Sequence, residues 1–231
     1  SVQQRLNEAL YALTEEEIRV HGSGRTDSGV HARAQVAHFD TGVRMPADKF
    51  AVAMNMHLPP DIRVLHSEET NLDFHARFSV IEKSYRYTVQ TGPHARVMTR
   101  NTALHVHTPL DIIELRAAAT ALLGRHDFAA FMAAGGAVES TARTILCSDW
   151  SQQGAYLHYD VTGTGFLYNM VRILAGTMLE IGMGKRPLNA IPQALSTGQR
   201  QDAGPTAPAH GLCLMRVRYP DFDTEEILKG L

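Results

Sequence analysis

Asp27 is the lone carboxylate in a stretch that reads HGSGRTDSGVHARA over 21–34, with Arg25 two places before it and Ser28 directly after. Gly22, Gly24 and Gly29 surround it, and glycines at that density let the backbone take positive φ and approach a ligand closely. A carboxylate and a guanidinium two apart in such a loop suit chemistry centred on one acid. A glycine-rich hairpin with a solvated Asp–Arg pair has the same composition.

Familiar chemistries fail on individual residues. Gly24 to Gly29 has the outline of a phosphate-binding loop, but Val30-His31 stand where Lys and Ser/Thr must hold the phosphates. Gly22-Ser23-Gly24 lacks the third glycine of a dinucleotide fingerprint. Asp27-Ser28-Gly29 and Asp40-Thr41-Gly42 both have the D-[ST]-G form of an aspartic protease, whose two carboxylates share a proton at about 3 Å. An extended strand of about ten residues between them would hold the loops about 30 Å apart, so only a dimer could pair them. The twelve histidines include no HExxH, and His105-x-His107 stands alone, so no metal is expected. No G-x-S-x-G elbow is present for a serine triad.

Two further candidates lie far from this loop. LYNMVRILAGTMLEI (167–181) is apolar almost all round yet contains Arg172, and a buried guanidinium needs a carboxylate or phosphate partner. In EKSYRYTVQ (82–90), strand alternation puts Tyr85 and Tyr87 on one face and Ser84 and Arg86 on the other.

The elements that must position these residues follow from periodicity and punctuation. Val2, Leu6, Ala9, Leu10 and Leu13 form the stripe of an amphipathic helix over 2–13. Strands at about 17–21 and 34–39 flank the glycine loop. Pro46 opens a helix to Met56, Pro59-Pro60 stops it, and 61–66 reads as a strand. After the strand over 82–90 come an extended piece near 102–106 and a helix from Pro109 to Leu123 ended by Gly124. Residues 127–138 read as a short helix running into a glycine loop. Antiparallel strands at 142–152 and 155–162 meet at QQG. A buried helix over 166–181, a helix from Pro187 and a last strand, GLCLMRVRY, precede an acidic tail. Helices alternating with hairpin-joined strands argue an α+β fold with a mixed, largely antiparallel sheet.

The chain has 231 residues, 44% hydrophobic and 20% charged, as a soluble globular protein has. It has no uninterrupted apolar run of about 18 residues, so no membrane span is expected, and with no signal peptide ahead of the first helix a cytoplasmic location is the default. Cys147 and Cys213 are expected as buried free thiols. Net charge is −2, so any polyanion surface must be local; Arg77, Lys83, Arg86, Arg96 and Arg100 face only Glu82 within 74–105.

With these residues in place the chain resembles the tRNA pseudouridine synthase A (TruA) family. The matching pieces are GSGRTDSGVHA (22–32), LPPDIRV (58–64), FHARFSVIEKSYRY (74–87), GTGFLYNMVRILAG (163–176) and APAHGLCLMRVRYP (207–220), in the family's order. Members begin with an additional strand and an aromatic- and glycine-bearing loop, whereas this chain starts at SVQQRL; the central sheet is therefore expected to lack a strand. The resemblance implies the pseudouridine synthase fold: two α/β lobes, 1–75 with the catalytic loop and 76–231 completing a cleft and supplying the dimer surface, with helices outside a shared sheet. It implies isomerisation of uridines in the tRNA anticodon stem-loop (positions 38–40) by one aspartate and base flipping, without metal or organic cofactor. Asp27 is then the catalytic carboxylate, acting on sugar, base or a ribose proton. Arg172 pairs with it, and Tyr85 stacks on the uracil or helps remove the C5 proton. Arg25 manages the vacated space or clamps the backbone, and Arg77, Lys83 and Arg86 meet tRNA phosphates. The partners implied are tRNA and a second copy of the chain. A catalytically silent tRNA-binding protein and an aspartic-type hydrolase are the alternatives.

Overall fold

A computed structural model describes residues 1–136 and 138–230. Ala137, inside the stretch expected as short helix and glycine loop, and Leu231 lie outside the described residues. In chain order the elements are α1 (Val2–Thr14), β1 (His21–Gly22), β2 (His31–Ala32), β3 (Ala37–His38), α2 (Phe50–Asn55), β4 (Glu82–Thr91), β5 (Leu104–Val106), α3 (Ile112–Thr120), β6 (Gly124–Asp127), β7 (Ala142–Gln153), β8 (Tyr156–Gly163), α4 (Met170–Gly182), α5 (Ala190–Thr197), β9 (Leu212–Arg218) and α6 (Thr224–Lys229).

They form two compact units, neither contiguous in sequence: 1–25, 34–81 and 217–231 in the first, 26–33 and 82–216 in the second. Division at residue 75 follows chain order, but hydrogen bonds do not. Tyr219 donates its hydroxyl to the Ala76 carbonyl (2.6 Å) and the Ile81 amide bonds the Arg218 carbonyl (2.9 Å), tying 76–81 and the C-terminus to the first unit. Residues 26–33, with Asp27, fall in the second.

In the first unit α1 buries Ala9 and Leu10 against Ile18, Val20, Phe50, Met54 and Leu58. The strands expected around the glycine loop shrink to a two-residue antiparallel ladder, with His21 opposite His38 and Gly22 opposite Ala37. Residues 61–66 are not a strand. The Asn55 side chain takes both backbone groups of Val64 (2.7 and 2.8 Å), standing where a ladder partner would be. The acidic tail, not expected to be regular, forms α6, because the Asp223 carboxylate accepts from the Glu225 amide at its first turn.

In the second unit the sheet order is β2-β9-β4-β8-β7-β6, with β5 also paired to β4. β2 runs parallel to β9 and β5 to β4, while β4, β8, β7 and β6 pair antiparallel. The α+β class with a mixed, mostly antiparallel sheet is the one expected. One sheet face is apolar: Tyr87, Val89, Trp150, Tyr159 and Val161 pack with Leu115 and Ala118 of α3 and Ile173, Leu174 and Met178 of α4. On the opposite face directly opposed residues form polar pairs, Ser84 with Thr162 and Arg86 with Asp160.

Cys147 departs from expectation: it is exposed, and Cys213 is half-buried. A bulge between Ile145 and Cys147 adds Leu146 to β7, so Leu146 and Cys147 both face outward before Ser148 turns back in. The expected helix over 127–138 is instead the end of β6 followed by a 3₁₀ turn at Ala129–Phe131. α4 begins at Met170 rather than 166, because Asn169 takes a left-handed conformation (φ 61) that stops the helix there.

Candidate active site

The site lies within the second unit and begins with a turn. The Asp27 carbonyl accepts the Val30 amide at 3.0 Å, and Gly29, third in the turn, has φ 85, the type II pattern that favours glycine there. Val30 packs against the large core, and His31 and Ala32 pair in parallel with Cys213 and Leu214. Asp27 thus opens a hydrogen-bonded turn whose far end runs into the sheet edge.

Arg172 projects from the first turn of α4. Its Nη1 donates to Asp27 Oδ2 (2.7 Å) and to Asn169 Oδ1 (2.7 Å), and its Nε donates to the Ala207 carbonyl (2.8 Å). The Ala207 amide in turn donates to the Arg172 carbonyl (3.0 Å). The ion-paired side chains keep 17% (Arg172) and 24% (Asp27) exposure, so the pair is largely shielded from bulk water. Charge-assisted bonds in such surroundings are about twice as strong as neutral ones.

Tyr85 is partly buried on β4, opposite Val161, its ring edge-on to Phe166 with centroids 5.1 Å apart. Its phenol is pushed up to about 12, first by burial and then by the negative charge of Asp27. Two residues on, buried Tyr87 donates to the Pro208 carbonyl (2.8 Å) and so pins the segment that carries Ala207.

The structure thus gathers Asp27, Arg172 and Tyr85 in one unit. Lys83 is partly buried on β4. Arg86 makes a two-bond fork with Asp160, Nε to Oδ1 at 2.7 Å and Nη2 to Oδ2 at 2.9 Å. Arg25 and Arg77 belong to the first unit and are exposed; Arg77 lies 5.7 Å from the Phe78 ring centre. Asp40, of the second D-[ST]-G, is also in the first unit. Among the described residues no group of three or more His, Cys, Asp and Glu is arranged to hold a metal ion.

Asn169, Phe166 and the Ala207 carbonyl escaped the sequence reading. Asn169 carries a faint signal, since asparagine just before a helix often caps it or tolerates positive φ. A backbone carbonyl carries none.

A family model described as tRNA pseudouridine synthase matches residues 1–79 and 118–220. The chain is 46% identical over 221 residues to "tRNA pseudouridine synthase A" of Bacillus pumilus, covering 95% of this chain and 90% of that protein. It is 49% identical over 195 residues to the protein of that name from Halalkalibacterium halodurans, covering 84% and 74%. For the Bacillus subtilis protein of the same name the figures are 46% over 221 residues, 95% and 90%. With the Asp27–Arg172 pair beside Tyr85 and this match along most of its length, the chain belongs to the tRNA pseudouridine synthase family.

Proposed function

We propose that this protein isomerises uridine to pseudouridine in the anticodon stem-loop of tRNA, at positions 38–40, with Asp27 as its catalytic carboxylate. The observation that carries the reading is the Arg172–Asp27 contact of 2.7 Å on a fixed turn beside Tyr85. In the reaction the N1–C1′ bond breaks, the uracil turns, and a C5–C1′ bond forms. The C5 proton leaves and N1 takes one up, so the product is an isomer and nothing is oxidised or hydrolysed. Arg172 holds the Asp27 carboxylate in one orientation toward the sugar–base junction. A phenol held at about 12 is protonated at neutral pH, which favours Tyr85 as a stacking surface for the displaced uracil over a role as phenolate base. The target base must leave its stack at a cost of a few kcal/mol; Arg25 fills or clamps the space it leaves, and Arg77 and Lys83 face phosphates, Arg86 being already paired with Asp160.

The enzyme acts as a homodimer in the cytoplasm under this reading. No helix among the described residues is long and apolar enough to cross a membrane. Tritium release from tRNA labelled at uridine C5 tests the assignment. Asp27→Asn should release none while binding tRNA as tightly as the native protein. Substantial release from that variant would overturn the role of Asp27, and binding without release by the native protein would leave a silent tRNA-binding module.

A further inference from the structure

We propose that Asn169 is a positioning residue for Arg172, and through it for Asp27; the inference rests on the reading above. Asn169 has φ 61, a left-handed conformation that asparagine tolerates better than other non-glycine residues. Helix capping does not account for it, because the Asn169 side chain makes no capping hydrogen bond to α4. Instead its Oδ1 accepts from Arg172 Nη1 at 2.7 Å, the same nitrogen that donates to Asp27 Oδ2 at 2.7 Å.

That nitrogen has two hydrogens. Asp27 and Asn169 take one each, and the Ala207 carbonyl takes the Nε hydrogen. Three acceptors on one planar group fix both its tilt and its rotation, and each has a different origin: a side chain across the site, a backbone carbonyl, and a residue three positions back on the same helix start. Without Asn169 the guanidinium keeps its charge and its bonds to Asp27 and Ala207 but loses one of its three anchors, so the orientation of the Arg172–Asp27 pair is less tightly set. The neutral amide matters too. A carboxylate at 169 would compete with Asp27 for the same cation, whereas an amide oxygen orients the guanidinium without drawing off its charge.

Two substitutions separate positioning from backbone conformation. Asn169→Gly keeps the left-handed conformation at no steric cost and removes the carboxamide with its Oδ1 acceptor; Asn169→Ala removes the same carboxamide and adds strain. The Gly variant should lose no more stability than one hydrogen bond to a charged group contributes and keep the native KM for tRNA, while single-turnover pseudouridine formation slows by roughly tenfold to a hundredfold, as expected when a reacting group is misplaced by a fraction of an ångström to about 1 Å. The Ala variant should be equally slow and also less stable. A Gly variant within twofold of the native rate would overturn the proposal and leave Asn169 as a backbone residue only. Loss through KM alone would overturn it as well, pointing to tRNA contact. If the native enzyme forms no pseudouridine, the functional reading fails rather than this one.

Discussion

Arg172 Nη1 and Asp27 Oδ2 stand 2.7 Å apart although 145 residues separate them in the chain. An almost wholly apolar helix tolerates its one arginine because the partner arrives from a turn at the far end of the sequence. Arg172→Ala would leave the carboxylate in a poorly hydrated place without its cation. Stability should fall by roughly 3 kcal/mol, the low end for breaking a buried pair, since both groups keep some water contact. Pseudouridine formation should fall by at least about a hundredfold. Chemical denaturation together with single-turnover rates checks both; a fully active, equally stable variant would refute the pair's role.

Gly176 should reverse an ordinary helix rule. Replacing an interior helix glycine by alanine usually stabilises by about 1 kcal/mol. Here a Cβ would fall onto the Pro205 carbonyl and within 3.2 Å of the Ala207 amide nitrogen, both backbone groups that cannot swing aside. Gly176→Ala should therefore destabilise by roughly 1–3 kcal/mol. It should also slow catalysis, because the segment it displaces carries the carbonyl that receives Arg172 Nε. Thermal melts and single-turnover assays measure the two effects.

Tyr85 sets a pH dependence with a definite sign. Its phenol is raised from 10.0 to about 12 in the folded state, so between those values the unfolded chain has lost a proton that the folded chain retains. Stability from this group is full below pH 10 and declines as pH rises toward 12 and beyond, by on the order of 2–3 kcal/mol for a two-unit displacement. Buried Tyr87, Tyr159 and Tyr219 are displaced in the same direction by burial and steepen the decline. Urea titrations at a series of alkaline pH values should show it, and Tyr85→Phe should flatten the curve.

Arg77 and Arg86 should differ as phosphate contacts. Arg77 is exposed beside Phe78, whereas Arg86 is already neutralised by the Asp160 fork, its side chain 40% exposed. Arg77→Ala should weaken tRNA binding and lower the slope of log affinity against log salt by about 0.7–0.9. Arg86→Ala should change that slope much less, and stability by no more than about 1 kcal/mol, because the pair is solvent-screened. Filter binding across a salt series distinguishes the two, and equal slopes in both variants would contradict the difference.

What was legible in the sequence was whatever a local period or a local cost encodes. The stripe of α1, the alternation of β4, and the β7–β8 hairpin closed by Gly154 at φ 58 follow from spacing and turn residues that neighbours a few positions away enforce. The need of Arg172 for an anion was legible too, because burying a charge is costly in any fold. Tertiary structure decided the rest. Parallel pairing of β2 with β9 brings the Asp27 turn to the large core, one extra residue at Leu146 turns Cys147 outward, and Asn55 captures Val64 in place of a strand partner. Asn169 adopts its left-handed φ where periodicity alone would continue the helix toward 166, in a geometry that lets its side chain meet Arg172. The β2–β9 pairing joins groups far apart in the chain, whereas the bulge, the Asn55–Val64 bonds and the Asn169–Arg172 contact join closer residues through backbone and side-chain geometry that no hydrophobic period records.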